Sequence, residues 1–251
     1  MTLATDPIRV ALIGFGFVGK TFHAPLIQSV PGLELTVVSS RHRETVREIL
    51  PEAQVLGNPE EAATHADVDL VVIASPNETH VPLATAALSA GKNVIVDKPF
   101  TITLAEARRL GELSRAKQRL VSVFQNRRWD SEFLGARAII RGGTPRRGPA
   151  LRITHRSLPP RGPENGGVKS PVQERACVTI LDLIWSTKPL QLFGLPEKVS
   201  ASLVRQRPYA QTDDWFHVLL DYGRLQAILH GSLMVAGGIL AWRSTEPAAV
   251  G

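Results

Sequence analysis

The sequence lacks several things, and each absence narrows its function. Cys177 is the one cysteine in 251 residues, so no internal disulfide can form, which fits the reducing cytoplasm. The longest apolar runs, such as Asp69–Ser75, are far too short to span a bilayer. Met1–Arg9 carries Asp6 and Pro7 where a secretory signal needs a basic start and an apolar stretch. No Cys/His/Asp cluster has metal-ligand spacing, so no metal is assigned. Tandem repeats and low-complexity tracts are missing too. What is present is an ordinary folded composition, 43% hydrophobic and 21% charged, with 29 Lys+Arg against 23 Asp+Glu and a pI near 9.9. The length suits one large domain or two modest ones.

The first half alternates strand and helix signals. Ile8–Ile13 is an apolar run ending in glycines, and a helical stretch runs from about Val18 to Val30. Leu33–Ser39, Gln54–Leu56, Asp69–Ala74, Asn93–Val96 and Leu120–Phe124 read as further strands. Helices are expected over Arg43–Leu50, from Asn58-Pro59-Glu60-Glu61, over Thr79–Ala90 and over Thr103–Lys117. Asn58 suits an N-cap, Pro59 the first turn, and Thr103-Leu-Ala-Glu106 a capping box. Strand–helix alternation implies a doubly wound parallel sheet, with runs of Val, Ile and Leu buried on both faces. Residues 1–122 therefore read as one domain. Residues 123–251 read as a second, with a helix over Trp129–Arg141 and strands at Ser200–Val204, Trp215–Asp221 and Gln226–Gly231.

Gly14-Phe-Gly16-Phe17-Val18-Gly19 follows a strand and opens a helix. One glycine serves the tight turn, one lets the backbone approach a pyrophosphate, and one allows close helix–strand packing, while the helix start offers N–H groups to the phosphates. At the end of the second strand an acid would select NAD through the ribose 2′-hydroxyl, and an arginine favours a 2′-phosphate. The sequence there is Ser39-Ser40-Arg41-His42-Arg43. NADP is expected, held by Ser40 and Arg41, with NAD as the alternative cofactor.

Three further segments carry a resemblance: Ala74-Ser75-Pro-Asn77-Glu-Thr-His80, Val96-Asp97-Lys98-Pro99-Phe100 and Phe124-Gln-Asn126-Arg-Arg128-Trp129-Asp130. Together with Gly14–Lys20 and Thr21-Phe-His23-Ala-Pro25, they resemble the glucose–fructose oxidoreductase / inositol dehydrogenase / MocA family over residues 8–143. The resemblance resumes at Gln191-Leu-Phe-Gly194 and continues through Thr212–Trp215 to Gly238. It implies a Rossmann domain followed by an α+β domain with an open, mostly antiparallel sheet. It also implies hydride transfer between NAD(P) and a sugar, polyol or related carbonyl compound, and a homo-oligomer. Asp97-Lys98-Pro99 stands where the family usually has Glu-Lys-Pro. By resemblance Lys98 is the catalytic base or acid, Ser75, Asn77, His80 and Asp97 join Lys98 in lining the cofactor, and Asn126 and Arg128 reach the substrate. His23 reads equally as a packed core histidine or a functional one.

The pattern then breaks. The family completes its site with an Asp and a His, and counting back from Gln191 those positions fall at Ile180 and Ile184. Pro145–Pro189 holds 7 of the 18 prolines and reads as neither sheet nor helix for most of its length. Moving Val178–Lys188 by two bases permits Tyr-Asp-Leu-Gly-Ser-His-Leu-Val-Asp-Gln. Similar moves restore family-like sequence after Pro145 and after Ile239. The expectation is a gene with small insertions or deletions, a truncated second domain poorly packed over Pro145–Pro189, doubtful oligomer contacts and impaired turnover, which leaves a non-catalytic NAD(P)-binding module or sensor as the alternative. Pro145–Pro189 also holds 8 basic and 3 acidic residues, most of the net charge of +6. Its one aromatic is Trp185 and it has no periodic face, so the basic pI does not signal a nucleic-acid partner.

Overall fold

The computed structural model describes residues 6–142, 150–156, 187–206, 213–232 and 241–245. The chain divides into two compact units, Met1–Phe124 and Gln125–Gly251.

The first unit begins with strand β1 (Ile8–Ile13), a π-helical turn (Gly19–His23) and helix α1 (Ala24–Ser29). It continues through β2 (Leu33–Ser39), α2 (Arg43–Ile49), β3 (Gln54–Leu56), α3 (Pro59–Thr64) and β4 (Leu70–Ile73). The series ends with α4 (His80–Ser89), β5 (Asn93–Val96), α5 (Leu104–Lys117) and β6 (Val121–Val123). All six strands pair in parallel in the order β3-β2-β1-β4-β5-β6. Strand order reverses direction between β1 and β4, the point at which a doubly wound sheet opens a crevice at its carboxyl edge.

Successive side chains of a strand point to opposite faces, and both faces of this sheet are covered. Ala11 and Ile13 of β1 pack with Ala62, Ala63, Leu83, Ala84, Leu88 and Leu110 from α3, α4 and α5. Val10 and Leu12 face the other way, onto Ala24, Ile27 and Val46 of α1 and α2. The caps close as their residue types require. The Asn58 side chain accepts from the Glu60 N–H at 2.9 Å. Thr103 and Glu106 bond reciprocally, at 3.2 Å and 2.9 Å. Helix α1 departs from the expected single α-helix, because the Ala24 N–H reaches back five residues to the Gly19 carbonyl.

The second unit starts with a 3₁₀ turn (Asn126–Trp129) and helix α6 (Ser131–Arg141). Strands β7 (Ala150–Arg156), β8 (Lys198–Val204), β9 (Trp215–Asp221), β10 (Gln226–Ser232) and β11 (Ala241–Thr245) form an open sheet in the order β11-β7-β10-β9-β8. Every pairing is antiparallel except β10 with β7. The mostly antiparallel sheet expected for this unit is therefore present. Strand β7 also gives the anomalous Pro145–Pro189 stretch one regular element, and a helix covers 187–193. Ile180 and Ile184 lie outside the described residues, as do most of the positions on which the reading-frame expectation rests.

Candidate active site

Five loops meet at the carboxyl edge of the parallel sheet, each tied to its neighbour by backbone. Gly14 N–H donates to the Ser39 carbonyl, Ala74 N–H to Ile13, Asp97 N–H to Ile73, and Phe124 N–H to Val96, all between 2.8 and 3.0 Å. These bonds set the first residue after β1, β4, β5 and β6 at one level. Gly14, Ser40, Ser75, Lys98 and Phe124 are brought to one rim in this way.

The three glycines of the first loop have distinct surroundings. Gly14 has φ +98°, a conformation side-chain-bearing residues rarely adopt, and a β-carbon there would sit 2.5 Å from the Ala74 carbonyl oxygen. A β-carbon on Gly19 would overlap the Gly14 carbonyl oxygen, so this glycine is what lets the helix start close against the strand. Gly16 differs. Among the described residues nothing lies within 4 Å of where its β-carbon would be, so their packing does not call for glycine there. Gly16 and Phe17 face outward, Phe17 being 75% exposed, and Val18 is partly covered.

The second loop follows β2. Ser40 is buried and its hydroxyl accepts from the His42 N–H at 3.0 Å. Arg41, His42 and Arg43 are exposed, and the Arg43 guanidinium packs over Gly57, where a β-carbon would collide with it. No carboxylate occupies this turn before Glu44.

The loops after β4 and β5 are joined by a histidine. His80 is 1% exposed. Its Nδ1 lies 2.8 Å from the Pro99 carbonyl oxygen, and its Nε2 lies 2.9 Å from the Ser75 carbonyl oxygen. Ser75 Oγ pairs with Thr79 Oγ1 at 2.6 Å, and Asn77 opens the short 3₁₀ turn before α4. Asp97 is buried, and its carboxylate accepts from the Lys98 N–H at 2.7 Å. The Lys98 side chain is half-buried. Behind Asp97 lies His23, also buried, with Nε2 3.9 Å from Asp97 Oδ2 and its ring 4.2 Å from the Phe124 ring centroid.

Residues 8–125 match the oxidoreductase family with an NAD-binding Rossmann fold. An oxidoreductase of Escherichia coli (strain K12), YdgJ, is 42% identical over 243 residues, which cover 92% of this chain and 67% of that one. The chain belongs to the glucose–fructose oxidoreductase / inositol dehydrogenase / MocA family. A second family relative, scyllo-inositol 2-dehydrogenase (NADP(+)) IolW of Bacillus subtilis (strain 168), is 32% identical over 92% of this chain and 64% of its own length. The solved structure of a Klebsiella pneumoniae oxidoreductase is 48% identical, with a TM-score of 0.84 over 96% of this chain and 66% of that one. The chain thus spans about two-thirds of the length of these family members. Its glycine loop, with Gly16 open and Gly14 and Gly19 closed against protein, fits the dinucleotide that the family fold implies.

Asn126 and Arg128 belong to the second unit, on its first 3₁₀ turn. Both are partly buried, and the Arg128 Nε is buried without a hydrogen-bond partner among the described residues. The same unit holds a pair that sequence reasoning missed. Lys188 is fully buried, its Nζ 3.4 Å from Asp130 Oδ2 and 5.7 Å from the Phe133 ring centroid. Burial pushes the Lys188 ammonium below its usual pKa, while Asp130 opposes that shift. Lys188-Pro189 carries no sequence signal of burial, since Lys before Pro ordinarily marks a solvated turn.

Proposed function

We propose that this chain binds NADP through its first unit and is built for hydride exchange with a sugar, polyol or related carbonyl compound. The observation that carries the reading is the open ground beside Gly16, at the switch point between β1 and β4. Ser40 and Arg41 stand where a 2′-phosphate would be recognised, and the NADP and inositol in the name of IolW support both halves of the reading. A bound nicotinamide supplies the hydride acceptor or donor.

The protein's part is the proton. Oxidising a C–OH group releases a hydroxyl proton, and Lys98, half-buried at the end of β5, is the group assigned to take it or return it. Asp97 fixes the Lys98 backbone through its N–H. Ser75 and Asn77 are assigned to the cofactor, and Asn126 and Arg128 to the substrate.

Ile180 and Ile184 occupy the positions where the family resemblance calls for Asp and His. Neither isoleucine can exchange a proton, so turnover is reduced relative to cofactor binding, by ~10²–10⁴ for the lost proton-transfer group. NADPH fluorescence titration beside NADH, followed by turnover on a panel of polyols and aldoses, tests the whole. The expected result is NADPH binding with preference over NADH, slow oxidation of at least one polyol, and loss of that oxidation in Lys98→Met with NADPH binding weakened far less than turnover. Absence of binding to either nucleotide overturns the proposal. Binding without turnover on any substrate leaves the nucleotide-binding module as the function.

A further inference from the structure

We propose that His80 is a positioning residue, a buried clamp that fixes the Lys98 loop to the Ser75 loop without touching cofactor or substrate. The inference rests on the reading of Lys98 as the proton-transfer group. His80 starts α4, yet its ring is 1% exposed and turned under the rim. Each ring nitrogen faces a backbone carbonyl of a different loop, at 2.8 and 2.9 Å. A carbonyl oxygen only accepts, so a neutral ring serves one of them at a time and an imidazolium serves both. Neither nitrogen is left for a nicotinamide or a hydroxyl, so His80 acts as a clamp in place of the cofactor-lining role that the resemblance implies for it.

The two ends of the clamp are not equivalent. The Ser75 loop has further ties: Ala74 N–H to Ile13, Ser75 Oγ to Thr79 Oγ1, and Thr79 Oγ1 to the Pro76 carbonyl at 2.7 Å. On the other side, Pro99 has no N–H, so its carbonyl is the only backbone group by which that residue can be held. That carbonyl is one of the two that the His80 ring faces, one residue past Lys98. Asp97 secures the Lys98 N–H from before, and His80 secures the loop from after. Loss of the ring therefore loosens the Lys98 side first and leaves the Ser75 side largely in place. A shift of about 1 Å in a reacting group costs up to ~10²-fold in rate.

The test compares the parent protein with His80→Phe, which keeps a flat ring and can donate to neither carbonyl, and His80→Gln, which keeps a donor. Three quantities are read: amide hydrogen exchange of peptides covering 97–102 and 74–79, the NADPH dissociation constant, and single-turnover hydride transfer. In His80→Phe, exchange over 97–102 rises on the order of tenfold, as for one lost hydrogen bond, and exceeds any change over 74–79. NADPH affinity stays within about threefold while hydride transfer falls ~10–100-fold. His80→Gln recovers part of both effects. NADPH affinity and transfer falling together, or unchanged exchange over 97–102, overturns the clamp. If the parent binds no NADPH, the functional reading fails by itself, and the exchange comparison of the two variants still decides whether His80 holds the loop.

Discussion

His23 Nε2 and Asp97 Oδ2 lie 3.9 Å apart, both side chains buried, one residue behind Lys98. The two are unequally engaged. Asp97 accepts the Lys98 N–H at 2.7 Å, whereas His23 Nε2 has no hydrogen-bond partner among the described residues. Removing an acceptor strands a donor, and removing an unpartnered polar atom does not. Asp97→Ala is expected to lower stability by about 1–3 kcal/mol. His23→Phe, which keeps a ring against Phe124, should cost clearly less. Urea unfolding of the two variants against the parent checks this, and equal losses would count against the assignment.

At the opposite edge of the sheet, Arg9 and Asp69 join β1 to the residue before β4. The Asp69 carboxylate accepts from the Arg9 guanidinium at 3.0 and 3.1 Å and from the Arg9 N–H at 3.0 Å. These bonds hold the Asp69 carboxyl below its ordinary pKa. A carboxyl whose folded pKa is depressed adds stability above its unfolded pKa, and that stability is lost as pH falls through the folded value. Asp69→Asn should therefore melt below the parent at pH 7, by a small margin because both side chains are partly exposed. The gap should narrow as pH drops below about 4, near the unfolded carboxyl value, and close at lower pH. Scanning calorimetry of both proteins across that range reads it. A gap unchanged at the acid end would show that the carboxylate charge is not the cause.

Much of the first unit was legible because its signals are local. Thr103 and Glu106 announce a capping box by type and spacing, and both bonds form. Asn58-Pro59 marks the start of α3 in the same way. The glycine loop was readable because the demand for φ +98° at Gly14 and for space at Gly19 is met by one residue type. The His80 clamp was not readable, since its partners are carbonyls of Ser75 and Pro99, and a carbonyl has no residue identity. The π turn at Gly19–His23 was missed for a related reason. An apolar period of 3.6 says nothing about a single five-residue step. Lys188 is the case furthest from the sequence, a buried ammonium paired with Asp130, 58 positions earlier in the chain.

The glycine loop separates stability from cofactor binding. Gly19→Ala pushes a methyl group into the Gly14 carbonyl, and forcing the helix off the strand should cost about 1–3 kcal/mol. Gly16→Ala meets no atom of the described residues, so its stability should stay within about 1 kcal/mol of the parent. The same methyl group stands in the space assigned to the pyrophosphate, and NADPH affinity should fall at least about tenfold, the equivalent of one lost hydrogen bond. Thermal melting with and without NADPH reads both effects. If Gly16→Ala binds NADPH as the parent does, the pyrophosphate does not sit there.

Cofactor choice is expected to rest on Arg41. It is exposed at the end of β2, with no carboxylate in the turn, and buried Ser40 shapes that turn by accepting the His42 N–H. A guanidinium bonded to a phosphate contributes about 1.5–3 kcal/mol. Arg41→Ala should weaken NADPH binding by ~10–150-fold and leave NADH within about threefold, because NADH has no 2′-phosphate to lose. The loss should also shrink as salt rises, since an exposed charge pair is screened over about 10 Å at 0.1 M. Arg43 is a control of similar charge. Its guanidinium lies over Gly57, so Arg43→Ala should change the NADPH-to-NADH ratio less than Arg41→Ala does. Titrating both nucleotides into the two variants decides the point: an equal loss of NADPH and NADH in Arg41→Ala would place the 2′-phosphate elsewhere.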